Sequence, residues 1–595
     1  MSEDTTKLSA EVAEIEKETG EIDPEPKDQR AARLGREKTH DFIVRGIAVG
    51  VVALMMIIAV TNPEGFLNGV GGIRTVVTDY CSWFIILCTF LTLVLCAYYA
   101  FSKYGKIRLG GKDAKPAFTY FSWMAMLFAT GQGVGLVFWA VAEPIYMLLP
   151  GSGYPFLGVP ETFLGANGLA WTFFHWGIPA WPIYALMSLF MAYSRYNMHK
   201  DNTYRGSIEN LFPKGARVPV GIIVEAIVVL VTIFGLTTSL GLASFQFNTG
   251  LQHIFPQLEA STALIAGIVI FFGLIATLDV WFGIVKGIKK VSNMNAILSF
   301  VLVGSCFILG PTLYILGVFN ESMAVFIDQF MLYSGYSEAF NLAFTPDYLE
   351  TWNTWWSFFI FSWCFAFGSF TAGFISTISR GRTIKEFLLS ICGVGGGVCI
   401  IWTTVVGGTG VFAALQDLSI AEAVTADSST GLFYALNSVM PATPIPFILT
   451  IVATVLIGGY IVTTVDSGVV AVSSFMSPKA NESRTFKAIL SLCVVALAAF
   501  FLIACGQQVL STIQFTVIAA GVPMAVIVVL MWVQFQKTAS HDPMLVELGL
   551  AEPFPEGSEW DLYMKEYEAG EAKRQAELQE MIESGNKEAI YEQTA

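Results

Sequence analysis

Between Thr130 and Pro144 the chain reads TGQGVGLVFWAVAEP, residue types at odds with their setting. Gly131, Gly133 and Gly135 alternate inside an apolar stretch long enough for a membrane helix, and a carboxylate, Glu143, follows. Each glycine weakens a helix by about 1 kcal/mol relative to alanine. Small residues that serve helix packing in membranes recur at four-residue spacing, on one face. A spacing of two puts successive glycines on different faces and suits a local unwinding, where amides and carbonyls are free to hold a ligand. Lipid cannot satisfy those groups, so such a break must line a polar cavity. FAFGSFTAGF, from Gly368 to Gly373, is a second candidate break.

Other residues carry chemistry of their own. In FHWGIPAWPIY, Trp176, Trp181 and Tyr184 lie mid-segment, with Pro179 and Pro182 bending the chain between them. Trp181 and Tyr184 are three apart and share a helix face. Clustered ring faces hold a quaternary ammonium, which has no hydrogen to donate, and Trp363 is a further candidate wall. YIVTTVDSGVV places Thr463, Thr464 and Asp466 together deep in another apolar segment. Buried membrane carboxylates are costly and mark function by default, which singles out Glu143 and Asp466. The threonine pair fits either an ion-related role or hydrogen bonding to its own helix. His175 reads as a packing residue or a proton carrier.

These residues need apolar elements to position them. Of 595 residues 54% are hydrophobic and 13% charged, against about 25% charged in soluble domains; only a lipid-embedded protein fits. The nine cysteines lie in apolar segments without paired spacing, so neither a disulfide framework nor a zinc site is indicated. Of the net charge of −14, residues 542–595 supply −10 (fourteen acidic, four basic). That acidic tail is a solvated segment and no nucleic-acid binder. The first forty residues lack the layout of a cleaved signal.

Stretches of about 20 apolar residues cross a bilayer. Twelve are expected, at 43–61, 81–101, 117–149, 167–194, 217–250, 261–283, 292–318, 353–378, 386–413, 444–476, 485–505 and 512–535. The loops at 102–116, 195–217, 284–291, 379–385 and 477–487 are basic, whereas Arg74 is the only basic residue in the alternate ones. That alternation predicts twelve spans with both termini cytoplasmic. Residues 1–42 and 536–595 are then tails, 43–101 two extra helices, and 319–352 an outer loop or surface helix. The two candidate breaks, five spans apart, fit two five-helix halves, 117–318 and 353–535, of inverted topology.

In order and spacing, GQGVG followed by EP, HWGIPAWPIY, ISRGR and TTVDS resemble the betaine/carnitine/choline transporter family over residues 40 to 535. The resemblance implies an all-α integral membrane protein with a five-plus-five inverted repeat preceded by two helices, often trimeric, in a cell membrane. It implies no enzyme but a transporter of a small zwitterion or cation working by alternating access. Trp176, Trp181, Tyr184 and Trp363 would build the substrate cage, and Gly131, Gly133 and Gly135 would meet the substrate's carboxylate or hydroxyl end. Na+ would be held by the carbonyls of Ala129, Gln132 and Tyr460 and the hydroxyls of Thr463 and Thr464. Sodium-independent exchangers of the family place an arginine there; the seventh span holds no Arg or Lys, which favours sodium coupling. Cys364 and Phe367 replace two tryptophans of the family's eighth span, which opens volume and points to a bulkier or less methylated substrate than glycine betaine. Leu236 stands where a second sodium site has threonine, so that site is expected to be absent or altered. The alternatives are sodium-independent exchange, proton coupling through Glu143, Asp466 or His175, and a sensor that binds without transport.

Overall fold

The structure, a computed structural model, describes residues 27–131, 133–149, 164–339, 352–476, 483–505 and 508–584. It is all-helical: among the described residues there is no strand, only an isolated antiparallel bridge between Arg108 and Thr383. The described parts of Met1–Ile43 and Ser540–Ala595 form one compact unit and Val44–Ala539 another. The candidate site lies in the second.

Eleven of the described helices are long and apolar enough to cross a membrane. One of them, Thr312–Gly335, starts within the expected seventh span and runs into the expected outer segment, so helix length alone does not return twelve crossings. The expected fourth span is absent from the eleven because it is divided, into Leu164–Trp176 and Ala180–Tyr196; of the third, Tyr120–Gly131 and Gly133–Tyr146 are helical. Two boundaries differ from expectation. The second helix is Pro63–Phe101, taking in residues 63–80; Asn62 accepts the Gly65 amide at 2.9 Å and Pro63 fills the first turn, a start signal that the hydropathy of the segment hides. The loop expected at 284–291 is helical within Thr262–Leu309. At 1.5 Å per residue those 48 residues have about 72 Å of length, room for two crossings.

The pairing of helices has the symmetry expected of an inverted repeat. The third span packs on Thr262–Leu309, which carries the sixth and seventh, as the eighth packs on the twelfth. The fourth packs on the eighth, as the ninth packs on the third. The fifth meets the tenth, the sixth meets the eleventh through a Thr277–Ser491 hydroxyl pair at 2.8 Å, and the seventh meets the tenth as the twelfth meets the fifth. Exchanging spans 3–7 with 8–12 maps each pair onto another or onto itself.

Irregular backbone falls in the second helix of each half. In the fourth span Gly177–Pro179 interrupts the helix, as the two prolines predict. In the ninth, Ser390–Gly395 and Thr403–Gly407 are π-helical turns within Ile384–Gln416. The break expected between Gly368 and Gly373 is overturned: Ser357–Ile378 is one helix. Those glycines instead admit neighbours. A Cβ at Gly368 would lie 2.7 Å from Met187 Sδ, and one at Gly373 2.6 Å from Phe475 Cζ. With every face of this helix buried against other helices, nothing draws its amides out of their own ladder.

ISRGR has a mechanical role. Gly381 turns the chain at φ +83° against the Lys115 backbone, where a Cβ would lie 2.3 Å from the Lys115 carbonyl carbon; L-residues with side chains avoid that region. Arg382 then donates to Glu386 and, at 2.9 Å, to the Phe118 carbonyl, with its guanidinium 4.7 Å above the Trp123 ring. The motif ties the end of the eighth span to the start of the third.

Candidate substrate and ion site

The fourth and eighth spans bring the expected cage residues together. None of Trp176, Trp181, Tyr184, Trp363, Cys364 and Phe367 is more than 7% exposed. They form two clusters. Trp176 meets Trp363 edge-to-face at 5.7 Å, and Phe367 adds an edge to Trp363 at 6.3 Å. Trp181 meets Tyr184 edge-to-face at 6.0 Å, and the Cys364 thiol lies beside the Tyr184 hydroxyl. The missing tryptophan is thus replaced by a thiol that faces a tyrosine.

The three glycines each admit a different ring. A Cβ at Gly131 would lie 3.2 Å from Trp181 Cη2, one at Gly133 2.4 Å from Tyr460 Cδ1, and one at Gly135 2.9 Å from Trp176 Cζ3 and 3.7 Å from Trp363 Cη2. The alternate spacing therefore serves three interfaces, with the fourth, tenth and eighth spans. Gln132, where the unwinding is expected, lies outside the described residues.

Buried polar atoms without partners gather beside this stretch. Trp363 Nε1, Thr130 Oγ1 and Thr371 Oγ1 have no hydrogen-bond partner in the protein, and the Thr371 methyl lies 3.8 Å from the Gly131 Cβ position. An unsatisfied buried donor or acceptor costs about 1–3 kcal/mol. Three lie around one run of backbone.

The glycine stretch also abuts the tenth span where an ion is expected. Tyr460 touches Gly133 and shares a hydroxyl pair with Ser299 at 3.1 Å. The Thr463 hydroxyl is buried and donates to the Gly459 and Tyr460 carbonyls, both at 3.2 Å, so it bonds its own helix. A hydroxyl that donates keeps its lone pairs, and an all-oxygen set of hydroxyls and carbonyls suits a hard cation. Tyr460, Thr463 and Thr464, among the expected ligands, carry oxygens of that kind; Gln132 again falls outside the described residues. Leu236 packs on the tenth span, where a Gly468 Cβ would lie 2.1 Å from its Cδ2, and brings no oxygen. Asp466 is fully buried with neither carboxyl oxygen hydrogen-bonded, and Asp279 of the sixth span lies beside it.

A profile described as "betaine/carnitine/choline family transporter" matches residues 43–544. The chain belongs to that family. It is a transporter, not an enzyme, and a member of a group that moves compatible solutes across membranes. An ectoine/hydroxyectoine transporter of Virgibacillus pantothenticus is 32% identical over 83% of this chain and 95% of its own. A glycine betaine transporter of Acinetobacter baylyi is 31% identical over 81% of this chain and 70% of its own. The glycine betaine transporter OpuD of Bacillus subtilis is 30% identical over 84% and 95%.

In this transporter several site residues escape a sequence reading. Phe128 stacks on Trp181 at 6.0 Å and 13°, Gly395 lies against the same indole (2.7 Å from a Cβ there to Cδ2), and Cys399 Sγ accepts its Nε1–H at 3.3 Å. Gly395 and Cys399 belong to the irregular ninth span, whose π-turn no periodicity announces. Glu143, singled out as a membrane carboxylate, is held by His175 and by the Trp176 indole.

Proposed function

We propose that this transporter imports a small zwitterion of the betaine and ectoine class by sodium-coupled alternating access. The observation that carries it is the Gly131–Gly135 backbone with Trp181 at one end, Trp176 and Trp363 at the other, and three unpartnered polar atoms beside it. The ring faces attract the cation by about 0.5–2 kcal/mol each. The Thr130 and Thr371 hydroxyls at the Gly131 end and the Trp363 Nε1–H at the Gly135 end supply hydrogen bonds for the solute's polar groups.

At Cys364 the cage has a thiol in place of a ring, which suits a cyclic, less methylated solute such as ectoine over glycine betaine; the name of the Virgibacillus relative agrees. The Ala129, Gln132 and Tyr460 carbonyls with the Thr463 and Thr464 hydroxyls would hold Na+, which supplies positive charge where the third span meets the tenth. A cell-membrane location with cytoplasmic termini, and a homotrimer, complete the reading; the alternation of basic loops supports the orientation.

The test is uptake into proteoliposomes of labelled ectoine, glycine betaine, choline, carnitine and proline, with and without an inward Na+ gradient. Sodium-driven accumulation of ectoine above glycine betaine is expected. Uptake indifferent to sodium removes the ion site, and binding without uptake leaves a sensor.

A further inference from the structure

We infer that Glu143 is a positioning residue for the cage, holding the Trp176 ring and tying it through His175 to Ser357 at the outer end of the eighth span. The inference rests on the reading of that cage as the substrate site. Glu143 is fully buried, and each carboxylate oxygen takes one donor: Oε2 the Trp176 Nε1–H at 2.7 Å, Oε1 the His175 Nδ1–H at 2.5 Å. The second ring nitrogen of His175, Nε2, lies 2.9 Å from Ser357 Oγ. Ser357 is the first residue of the helix that carries Trp363, Cys364 and Phe367. One relay therefore joins the third span, the fourth span and the start of the eighth, the three elements whose rings and backbone frame the cage.

The relay has little freedom to rearrange. The His175 ring lies against Trp352 at 6.0 Å and 30°, tilts against Trp171 at 5.6 Å, and meets Phe361 edge-on at 5.9 Å. Gly168 brings the fourth span onto the third beside Glu143, where a Cβ would lie 3.3 Å from the Pro144 carbonyl oxygen. A buried carboxylate with both oxygens engaged by charge-assisted bonds fixes its partners' geometry more firmly than neutral pairs do. Trp176 has its ring edge near Gly135 and stands perpendicular to the Trp363 ring, so a carboxylate at its nitrogen sets the tilt of the wall that a cation meets.

The test compares Glu143→Ala, Glu143→Gln and Ser357→Ala in full-length transporter reconstituted at equal folded amounts. In Glu143→Ala the substrate KM rises about ten-fold or more, equivalent to 1.4 kcal/mol of lost binding, while Vmax per folded transporter and the sodium concentration for half-maximal uptake stay near wild type. Glu143→Gln brings KM back toward wild type: the amide oxygen accepts from Trp176, the amide N–H donates to His175 Nδ1, and the other imidazole tautomer donates to Ser357. Ser357→Ala raises KM less than Glu143→Ala does. Unchanged KM with a lower yield of folded protein in both alanine variants overturns the positioning role, and so does a glutamine variant no better than alanine. A wild type that takes up none of the solutes overturns the functional reading instead. The positioning is then read from the ultraviolet resonance Raman band of indole N–H hydrogen bonding, which loses one strongly bonded indole in Glu143→Ala and retains it in Glu143→Gln; an identical band in both sinks it.

Discussion

Trp181 shows how one side chain answers to several elements. Phe128 stacks on it, Gly131 and Gly395 let two backbones reach it, and Cys399 takes its indole hydrogen. Trp181→Ala empties a slot that four neighbours shape, a change that costs about 3–5 kcal/mol in a packed core; we expect saturable uptake to be lost, with the protein still recoverable from the membrane. Unchanged uptake would show that the cage lies elsewhere. Cys364 is the residue that sets specificity in the proposed reading. Cys364→Trp restores a ring worth about 0.5–2 kcal/mol to a trimethylammonium, so competition assays should show preference moving from ectoine toward glycine betaine by about two- to thirty-fold.

At the scale of elements, the contact between the third and tenth spans decides coupling in the proposed reading. Gly133 lets the Tyr460 ring lie against the third span's backbone, and Thr463 and Thr464 follow within the next turn. Removing both hydroxyls, as Thr463→Ala with Thr464→Ala, takes two ligands from the proposed ion and leaves the aromatic clusters untouched. The sodium concentration for half-maximal uptake should rise by about ten-fold or more, with substrate KM at saturating sodium little changed. A pair of variants that depends on sodium as the wild type does would remove the ion from this contact. The irregular helices have a common logic: the fourth span is interrupted at Gly177–Pro179 and the ninth wound into π-turns, and each thereby presents a residue to Trp181 or carries it.

For the whole molecule, protonation bears on stability at a buried histidine outside the spans. His199, at φ +53° just beyond the fourth span, has its pKa lowered from 6.5 to about 4, chiefly by burial and then by the Arg380 guanidinium. A depressed pKa means that the folded state binds its proton less readily than the unfolded chain does. The contribution to stability is therefore complete above pH 6.5 and lost as pH falls toward 4. Thermal unfolding of purified protein between pH 7.5 and 4.5 should show a falling midpoint that His199→Gln makes shallower; parallel profiles would assign the acid sensitivity to other groups.

Much of this architecture was legible beforehand, because hydropathy, basic loops and prolines act locally. Long apolar runs must cross a bilayer, Pro179 and Pro182 must disturb their helix, and an order such as GQGVG, HWGIPAWPIY and TTVDS points to one family. The helix start at Asn62–Pro63 was also written in local residues, though masked by hydropathy. What depended on tertiary structure was which rings meet which glycines. Glycine permits both unwinding and close approach, so only the partner across the interface distinguishes them: at Gly368 and Gly373 it is Met187 and Phe475 beside an unbroken helix. The same holds for Glu143 and the ninth span. A carboxylate's cost inside a membrane is a local property; the histidine and indole that offset it come from another helix, and no one-dimensional pattern names them.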